Sequence, residues 1–201
     1  MSTSEHERIL LVGGGGREHA VARAVARADD ATLYACASNR NPGIEALSKE
    51  YVVVDDETDP ETVVAAARDV GATLAVVGPE APLQAGVADA LDDAGIYAFA
   101  PEADEARIET DKQFQREFMH DEAIPGCPDF ETFDSAEAAA DYVASVESDV
   151  AVKPRGLTGG KGVRVTGDQL TNEEAVEYVR DSAYDEWVVE ERLVGEEFTV
   201  Q

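Results

Sequence analysis

The stretch RILLVGGGGREHA, residues Arg8–Ala20, joins an apolar run, four glycines and the start of a helical pattern. The run Arg8–Val12 predicts a buried strand, and the pattern over Arg17–Ala28 predicts a helix directly after the glycines. Glycine lets backbone N–H groups approach a ligand closely, and a helix N-terminus carries about half a positive charge. The stretch therefore predicts a strand–turn–helix unit whose turn suits a phosphate group.

The alternation of strand and helix continues to residue 100. Further apolar runs predict strands over Thr32–Ala37, Tyr51–Val54, Thr73–Val77 and Ile96–Ala100. Asp59 and Gly71 supply the start and stop signals of one helix, and a second helix is predicted over Gln84–Ala94. This α/β pattern favours a doubly wound parallel sheet with both faces covered, which we assign to an N-terminal domain, residues 1–100.

Beyond Pro101 the pattern changes, and we assign residues 101–201 to the first, incomplete part of an α+β domain. Helices are predicted over Glu102–Ile108 and Asp111–His120, and the cap signals Asp134–Glu137 and Thr171–Glu174 each begin another. Strands are predicted at Phe130–Phe133 and Trp187–Glu190. The chain ends in a strand-like run, Glu197–Gln201, so we expect it to be the front part of a longer protein.

The chain is strongly acidic and poor in lysine. It has 43 Asp and Glu against 16 Lys and Arg, a net charge of −27, so most of its surface repels anions and nucleic acid is not expected as a partner. Such a surface is typical of halophilic proteins from a salt-saturated cytoplasm. Of its four lysines, Lys153 and Lys161 lie in the glycine-rich stretch Val150–Val165, Lys112 precedes that stretch, and Lys49 stands apart. Lysines kept in so acidic a chain favour phosphate binding.

Hydropathy and cysteine usage exclude several classes of protein. No apolar run approaches the ~20 residues of a membrane span, and the first residues lack an apolar signal core, so a cytoplasmic, membrane-free location is predicted. The two cysteines have no CxxC spacing, and Cys36 is expected to be a small core residue. The dispersed histidines indicate no structural metal.

Two common nucleotide motifs fit poorly. A G-x-G-x-x-G pattern from Gly14 has His19 in place of its third glycine, and the strand end Ala35–Ser38 lacks the acid that binds ribose, so NAD binding is disfavoured. A P-loop is also disfavoured, because the spacing from Gly156 to Lys161 is one residue too short for its pattern. In addition, Lys161 is followed by Gly162 and a strand, where a P-loop has Ser or Thr and a helix. The segment therefore predicts a strand–loop–strand clamp.

Two more turns are expected beside the glycine turn. Val77–Leu83 follows the fourth predicted strand, and Asn39–Gly43 follows the second. Ligands of doubly wound sheets gather outside the carboxyl ends of the strands, so these segments should face one crevice. In that crevice Glu80 is a candidate to orient a ribose or an amine.

The motifs together resemble a known family. Lys112, KPRGLTGGKGV (Lys153–Val163) and WVVEERLVGEEF (Trp187–Phe198) resemble the nucleotide site of ATP-grasp ligases. With VGGGGREHA (Val12–Ala20) and VGPEAPL (Val77–Leu83), the chain resembles the N-terminal portion of the phosphoribosylamine–glycine ligases, or glycinamide ribonucleotide synthetases. The resemblance spans nearly the whole chain and implies a pre-ATP-grasp domain followed by part of an ATP-grasp domain.

The resemblance also implies which residues bind the ligands. In the first domain, 5-phosphoribosylamine is expected to contact Gly15, Gly16, Arg17, Glu18, Asn41, Gly43, Pro79 and Glu80. In the second, ATP is expected to contact Lys112, Lys153, Gly159, Gly160, Lys161, Gly162, Glu190, Glu191, Leu193 and Glu197. The two lysines Lys112 and Lys153 would bind phosphates, Gly159–Gly162 would form a lid, Glu190–Leu193 an adenine hinge, and Glu197 would hold the ribose.

The implied reaction is the ATP-dependent ligation of glycine to 5-phosphoribosylamine through glycyl phosphate, a step of purine biosynthesis. Mg²⁺ or Mn²⁺ is implied, with its ligands in a C-terminal part, so the chain alone is expected to be inactive and no catalytic residue is assigned. One departure is Asp111-Lys112, where the family usually has Ser-Lys. An acid there either weakens the phosphate contact or points outward.

Two alternatives stay open. The chain could be a noncatalytic nucleotide-binding module that acts with a partner chain carrying the remaining half. It could also be another purine-pathway ATP-grasp ligase with a different acceptor, although the pairing of Gly16–His19 with Gly78–Leu83 argues against that.

Overall fold

The computed structural model describes residues 6–159 and 161–196. The chain divides into two compact units, Met1–Ala106 and Arg107–Gln201. Within the described residues, no helix has the length and apolar character that crossing a membrane requires.

Within its described residues, the first unit is built on a parallel sheet. The strands are β1 (Glu7–Val12), β2 (Ala31–Ala37), β3 (Glu50–Val53), β4 (Leu74–Val77) and β5 (Tyr97–Phe99). The helices are α1 (Gly16–Val25), α2 (Pro42–Glu45), α3 (Pro60–Val70), α4 (Glu80–Gln84) and α5 (Val87–Asp93), and α6 (Ala103–Thr110) begins in the first unit and ends in the second. The strand order is β3-β2-β1-β4-β5, and the chain reverses direction across the sheet between β1 and β4.

Successive residues of β1 point to opposite faces of this sheet. Leu10 and Val12 pack in one cluster with residues of α3 and α5, whereas Leu11 packs in another with residues of α1 and α2. All three side chains are buried, and burial of each contributes about 1.5–3 kcal/mol. Helices thus cover both faces, which confirms the predicted doubly wound fold. Cys36 is fully buried in the first cluster, as expected of a core residue.

The segment after β4 differs from the sequence expectation. Glu80 begins a short helix, α4, rather than lying in a turn, and α5 begins at Val87 rather than Gln84. Pro82 is tolerated in α4 because first-turn N–H groups need no intrahelical partner. Gly86 interrupts the helices because it adopts a left-handed conformation, φ 80°.

The second unit contains an antiparallel sheet. Its strands are β6 (Phe130–Phe133), β7 (Val150–Pro154), β8 (Arg164–Val165) and β9 (Trp187–Glu191), and its helices are α7 (Lys112–Asp121), α8 (Ala136–Ser145) and α9 (Asn172–Asp181). The strand order is β6-β9-β7-β8. Strands β7 and β8 pair across the glycine-rich loop, with Ala151 opposite Val165, so the predicted strand–loop–strand clamp is confirmed.

Alternation along β7 and β9 separates a core face from a polar face. Val152, Trp187 and Val189 pack with residues of α8 and α9. Their neighbours Lys153 and Glu190 point to the other face, where they pair with each other. The candidate nucleotide residues are therefore held on a sheet whose opposite face is anchored in the core.

Candidate functional site

The first unit brings three segments together at the carboxyl ends of β1, β2 and β4. Arg17 Nη1 lies 2.8 Å from Glu80 Oε1, which joins the glycine turn to the segment after β4. Asn41 Nδ2 donates to the carbonyls of Gly14 and Gly15 at 3.1 and 3.2 Å, which joins the segment after β2. The three segments predicted to face one crevice are therefore brought together at the reversal point of the sheet, where ligands of such folds bind.

Asn41 and Gly43 shape the crevice more than the sequence indicates. The Asn41 carboxamide oxygen caps α2 by accepting from the N–H groups of Gly43 and Ile44. A Cβ on Gly43 would lie 2.4 Å from Cε1 of His19, so only glycine leaves room for that ring. Gly43, which follows β2, thus leaves space for His19, the large residue at the third glycine position of the G-x-G-x-x-G pattern.

Gly13 and Pro79 are in close contact beneath the crevice. Gly13 has φ +111°, and a Cβ there would lie 2.6 Å from Pro79 Cγ. Gly15 and Gly16 are exposed at the start of α1, where the first N–H groups of the helix suit an anion. The contact with Pro79 therefore requires glycine at residue 13, and the N–H of Gly16 is among the first N–H groups of α1, which lack an intrahelical partner.

Glu18 is a buried acid in this crevice, with 4 % of its surface exposed. Its Oε2 accepts from the N–H of Gly15 at 2.8 Å. Its Oε1 is buried and has no hydrogen-bond partner among the described residues. A Cβ on Gly78 would lie 2.4 Å from that oxygen, so the glycine makes room for it. An unpartnered buried carboxylate oxygen is costly, and a donor from a ligand would satisfy it.

The second unit gathers positive charge around one buried acid. Glu190, 4 % exposed, accepts from Lys153 Nζ at 2.5 Å and from Arg116 Nε at 2.8 Å and Nη2 at 3.2 Å. Lys112 Nζ donates to the carbonyl of Gly156 at 2.6 Å, at the start of the glycine loop. Burial lowers the pKa of Lys112 below its ordinary value, and the charge of Lys153 lowers it further. The two lysines predicted to bind phosphate therefore share one electrostatic environment.

Asp111, the departure from the family pattern, does not point outward. Its carboxylate caps α7 by accepting from the N–H groups of Gln113 and Phe114. It also binds the Arg155 guanidinium through two contacts of 2.9 and 2.8 Å. Burial alone would raise the pKa of Asp111, but the hydrogen bonds from Arg155 and Phe114 and the charges of Arg155 and Arg107 lower it. The acid beside Lys112 therefore holds the start of α7 against the strand that carries Lys153.

The glycine loop is anchored at one end. Gly162 is buried, its carbonyl accepts from the Tyr178 hydroxyl at 2.9 Å, and a Cβ there would lie 2.8 Å from Thr158 Cγ2. Gly159 has φ +57°, and Lys161 is exposed. The predicted site residues Gly160 and Glu197 lie outside the described residues.

The predicted hinge residues differ in their surroundings. Glu191 Oε1 accepts from the N–H of Asp129 at 3.1 Å, and Glu191 lies opposite Val150 in the β7–β9 pairing. Leu193 is 66 % exposed beyond the end of β9. Glu190 is 4 % exposed, its side chain enters the charge cluster, and its backbone lies between β6 and β7 in the sheet.

Comparison with known proteins identifies the family. Residues 7–109 match the N domain of phosphoribosylglycinamide synthetase, and residues 110–201 match its ATP-grasp (A) domain. The chain belongs to the phosphoribosylglycinamide synthetase family. The resemblance carried by the four sequence motifs is thereby confirmed.

Relatives in this family carry the name phosphoribosylamine–glycine ligase. The protein of Methanopyrus kandleri is 50 % identical over 203 residues, which cover 96 % of this chain and 45 % of the relative. That of Methanococcoides burtonii is 50 % identical over 196 residues, with the same coverage of both chains. The chain therefore spans less than half the length of the curated relatives it matches.

Solved structures show the same fold. Phosphoribosylamine–glycine ligase of Thermotoga maritima superposes with a TM-score of 0.70 at 21 % identity, covering 94 % of this chain and 44 % of that one. An ADP complex of N5-carboxyaminoimidazole ribonucleotide synthetase gives 0.73 at 14 % identity, covering 94 % and 47 %. At these identities the likeness concerns the fold, and it confirms a parallel-sheet domain followed by part of an ATP-grasp domain.

The family resemblance implies a metal ion, whose ligands in proteins are carboxylates, imidazoles and thiolates. Among residues 6–159 and 161–196, no three His, Cys, Asp or Glu side chains lie together as a metal site. We therefore assign no metal ligand among these residues and no step of the reaction to a metal.

Arg116 is a member of the charge cluster that sequence reasoning missed. It lies on α7 four residues after Lys112, so both side chains project from one face of the helix. That spacing was visible in the sequence, but its partner Glu190 is 74 residues away and is identified only by the fold.

Proposed function

We propose that this chain supplies the phosphoribosylamine-binding and part of the ATP-binding machinery of a phosphoribosylamine–glycine ligase acting in the cytoplasm. The observation that carries the proposal is the convergence of Lys112, Lys153 and Arg116 on the polar face of the second sheet, in a protein of net charge −27. A polyphosphate is the ligand that such a concentrated positive charge favours.

In the proposed reaction, a glycine carboxylate oxygen attacks the γ-phosphorus of ATP and ADP leaves, which forms glycyl phosphate. The phosphoribosylamine nitrogen then attacks the acyl carbon, and phosphate leaves as the amide forms. Lys112 and Lys153 offset the charge of the triphosphate as it is bound and transferred. The glycine loop from Gly159 to Gly162 would cover the phosphates with its backbone amides.

The first unit would bind the acceptor. The N–H of Gly16, at the exposed start of α1, suits the 5′-phosphate of phosphoribosylamine. The unpartnered Oε1 of Glu18 suits a hydroxyl or amine donor of the same molecule, and Arg17 and Glu80 close the crevice around it. These assignments support phosphoribosylamine as the ligand of this unit and glycine and ATP as co-substrates of the complete enzyme.

The test is calorimetric titration of the purified chain with ATP in the presence of Mg²⁺ and, separately, with ribose 5-phosphate. We expect both to bind, and we expect Lys153→Ala to remove detectable ATP binding while ribose 5-phosphate binding is kept. Lys153→Ala leaves Glu190 paired with Arg116, so the sheet should stay folded.

Lys49→Ala is the matched control, because Lys49 is exposed in the first unit beside the Tyr34 ring. It should bind ATP as the unaltered chain does. Equal losses of ATP binding in the two lysine variants would contradict the proposed nucleotide site.

A further inference from the structure

The buried Glu190 carboxylate pairs with two cationic side chains, although one would neutralise its charge. Its side chain is 4 % exposed, whereas those of Arg116 and Lys153 are 16 % and 19 % exposed. A buried carboxylate left without a partner destabilises a protein strongly. If one of the two cations moves away from Glu190, the other must therefore remain paired with its carboxylate.

The two cations differ in how firmly they hold the carboxylate. Arg116 contacts both carboxylate oxygens through a planar fork, Nε to Oε1 at 2.8 Å and Nη2 to Oε2 at 3.2 Å. Lys153 contacts Oε2 alone, through an ammonium on a flexible four-carbon stem. Lysine is thus the partner that can move toward a ligand, and arginine the partner that stays.

Strand register explains why Lys153 can exchange partners. Lys153 lies opposite Val188 in the β7–β9 ladder, so Glu190 is its diagonal neighbour on the same face. Burial lowers the pKa of Lys112, and the charge of the nearby Lys153 lowers it further. An anion received by the two ammonium groups would relieve their repulsion.

We propose that Arg116 is a positioning residue of the nucleotide site, whose task is to neutralise Glu190 so that Lys153 is released to the phosphates. In the structure Lys153 and Arg116 share the carboxylate. When a polyphosphate binds, Lys153 turns to it and Arg116 keeps Glu190 paired. This inference rests on the proposed function, since it assumes that the ligand is ATP.

The experiment measures ATP affinity by titration calorimetry of the purified chain and three variants. Arg116→Gln removes the permanent counter-charge, so Glu190 should retain Lys153 and ATP affinity should fall at least about tenfold. Glu190→Gln combined with Arg116→Gln removes the charge that Arg116 neutralises, so it should bind ATP at least about tenfold more tightly than Arg116→Gln alone. Arg180→Gln is the matched control, because Arg180 forms an exposed pair with Asp141 in the same unit.

The outcomes distinguish a failure of this inference from a failure of the proposed function on which it rests. Normal ATP binding by Arg116→Gln would overturn the inference alone. A combined variant as weak as Arg116→Gln would show a merely structural role for Arg116 and would also overturn it. Absence of ATP binding by the unaltered chain would overturn the proposed function, and the inference with it. If Arg116→Gln fails to fold, Arg116→Lys replaces it. This variant keeps the positive charge but not the planar fork, so its ATP affinity should stay within about threefold of that of the unaltered chain. A larger loss overturns the inference.

Discussion

Substitution of Asp111 separates two stabilising roles of one carboxylate. Asp111 caps α7 through the N–H groups of Gln113 and Phe114, and it holds Arg155 through two contacts of 2.9 and 2.8 Å. Loss of an N-cap costs about 1 kcal/mol. Loss of a charge-assisted, two-point contact at a half-buried site costs about 1–2 kcal/mol. Asp111→Ala should therefore lower the free energy of unfolding of the second unit by about 2–3 kcal/mol.

Asp111→Asn and Asp111→Ser keep a capping oxygen but lose the charge that binds Arg155. Each should lose about 1–2 kcal/mol, so both should be more stable than Asp111→Ala by about 1 kcal/mol. Serine is also the residue that the family usually has before this lysine. Asp141→Asn, which breaks the exposed Arg180–Asp141 pair, is the control and should lose less than about 1 kcal/mol.

The assay is urea unfolding followed by tryptophan fluorescence. The chain has one tryptophan, Trp187, which is 1 % exposed in the core of the second unit and reports its unfolding. Equal losses for Asp111→Ala and Asp111→Asn would refute the capping role. An Asp111→Asn variant as stable as the unaltered chain would refute the role of the Arg155 contact.

The same series has a predicted pH dependence. The pKa of Asp111 is lowered in the folded chain, so its extra stability is present above the ordinary aspartate pKa of about 3.9. It is lost as the pH falls through that value and then through the lower folded one. The difference in unfolding free energy between the unaltered chain and Asp111→Asn should therefore shrink in acid. A difference that stays constant to about pH 3 would refute the assigned direction of the shift.

Two further predictions concern the first unit. Gly13→Ala should lower its free energy of unfolding by at least about 2 kcal/mol, because φ +111° and a Cβ 2.6 Å from Pro79 Cγ both oppose a side chain. In denaturant titration Gly16→Ala should be nearly neutral, since a Cβ there meets nothing within 4 Å, and similar losses for both would contradict the packing described. Burial, with a smaller effect from the charge of Glu57, raises the pKa of Cys36 to about 11. In a thiol titration at mildly alkaline pH, half-buried Cys127 should therefore react first and Cys36 only on unfolding, and rapid reaction of both in the folded chain would contradict this.

Local patterns in the sequence predicted most of the fold because the interactions behind them are local. Asp59 and Gly71 bound α3 as expected, since a capping side chain and a left-handed glycine act on residues next to them. Thr171 and Glu174 form the predicted capping box for the same reason. The strand–glycine–helix stretch at the start of the chain predicted the crevice, because the carboxyl ends of parallel strands meet at one edge of the sheet.

One error was local, and another arose where a neighbour distant in sequence decides the outcome. The sequence placed Glu80 in a turn, but Gly86 and the prolines divide that segment into two helices. It offered no sign that Glu18 is buried, since the space it fills is left by Gly78 after another strand.

The sequence by itself determined the order of strands and helices, and it predicted phosphate binding at the glycine turns and at the few lysines near them. Tertiary structure decided how the charges are paired. Asp111 finds Arg155 44 residues away. Lys153 meets Glu190 because strands β7 and β9 are in register, and Arg116 meets it because α7 packs against β9. The physical reason is that an ion pair depends on distances of a few ångströms, and for groups far apart in the chain only the packed sheet sets those distances.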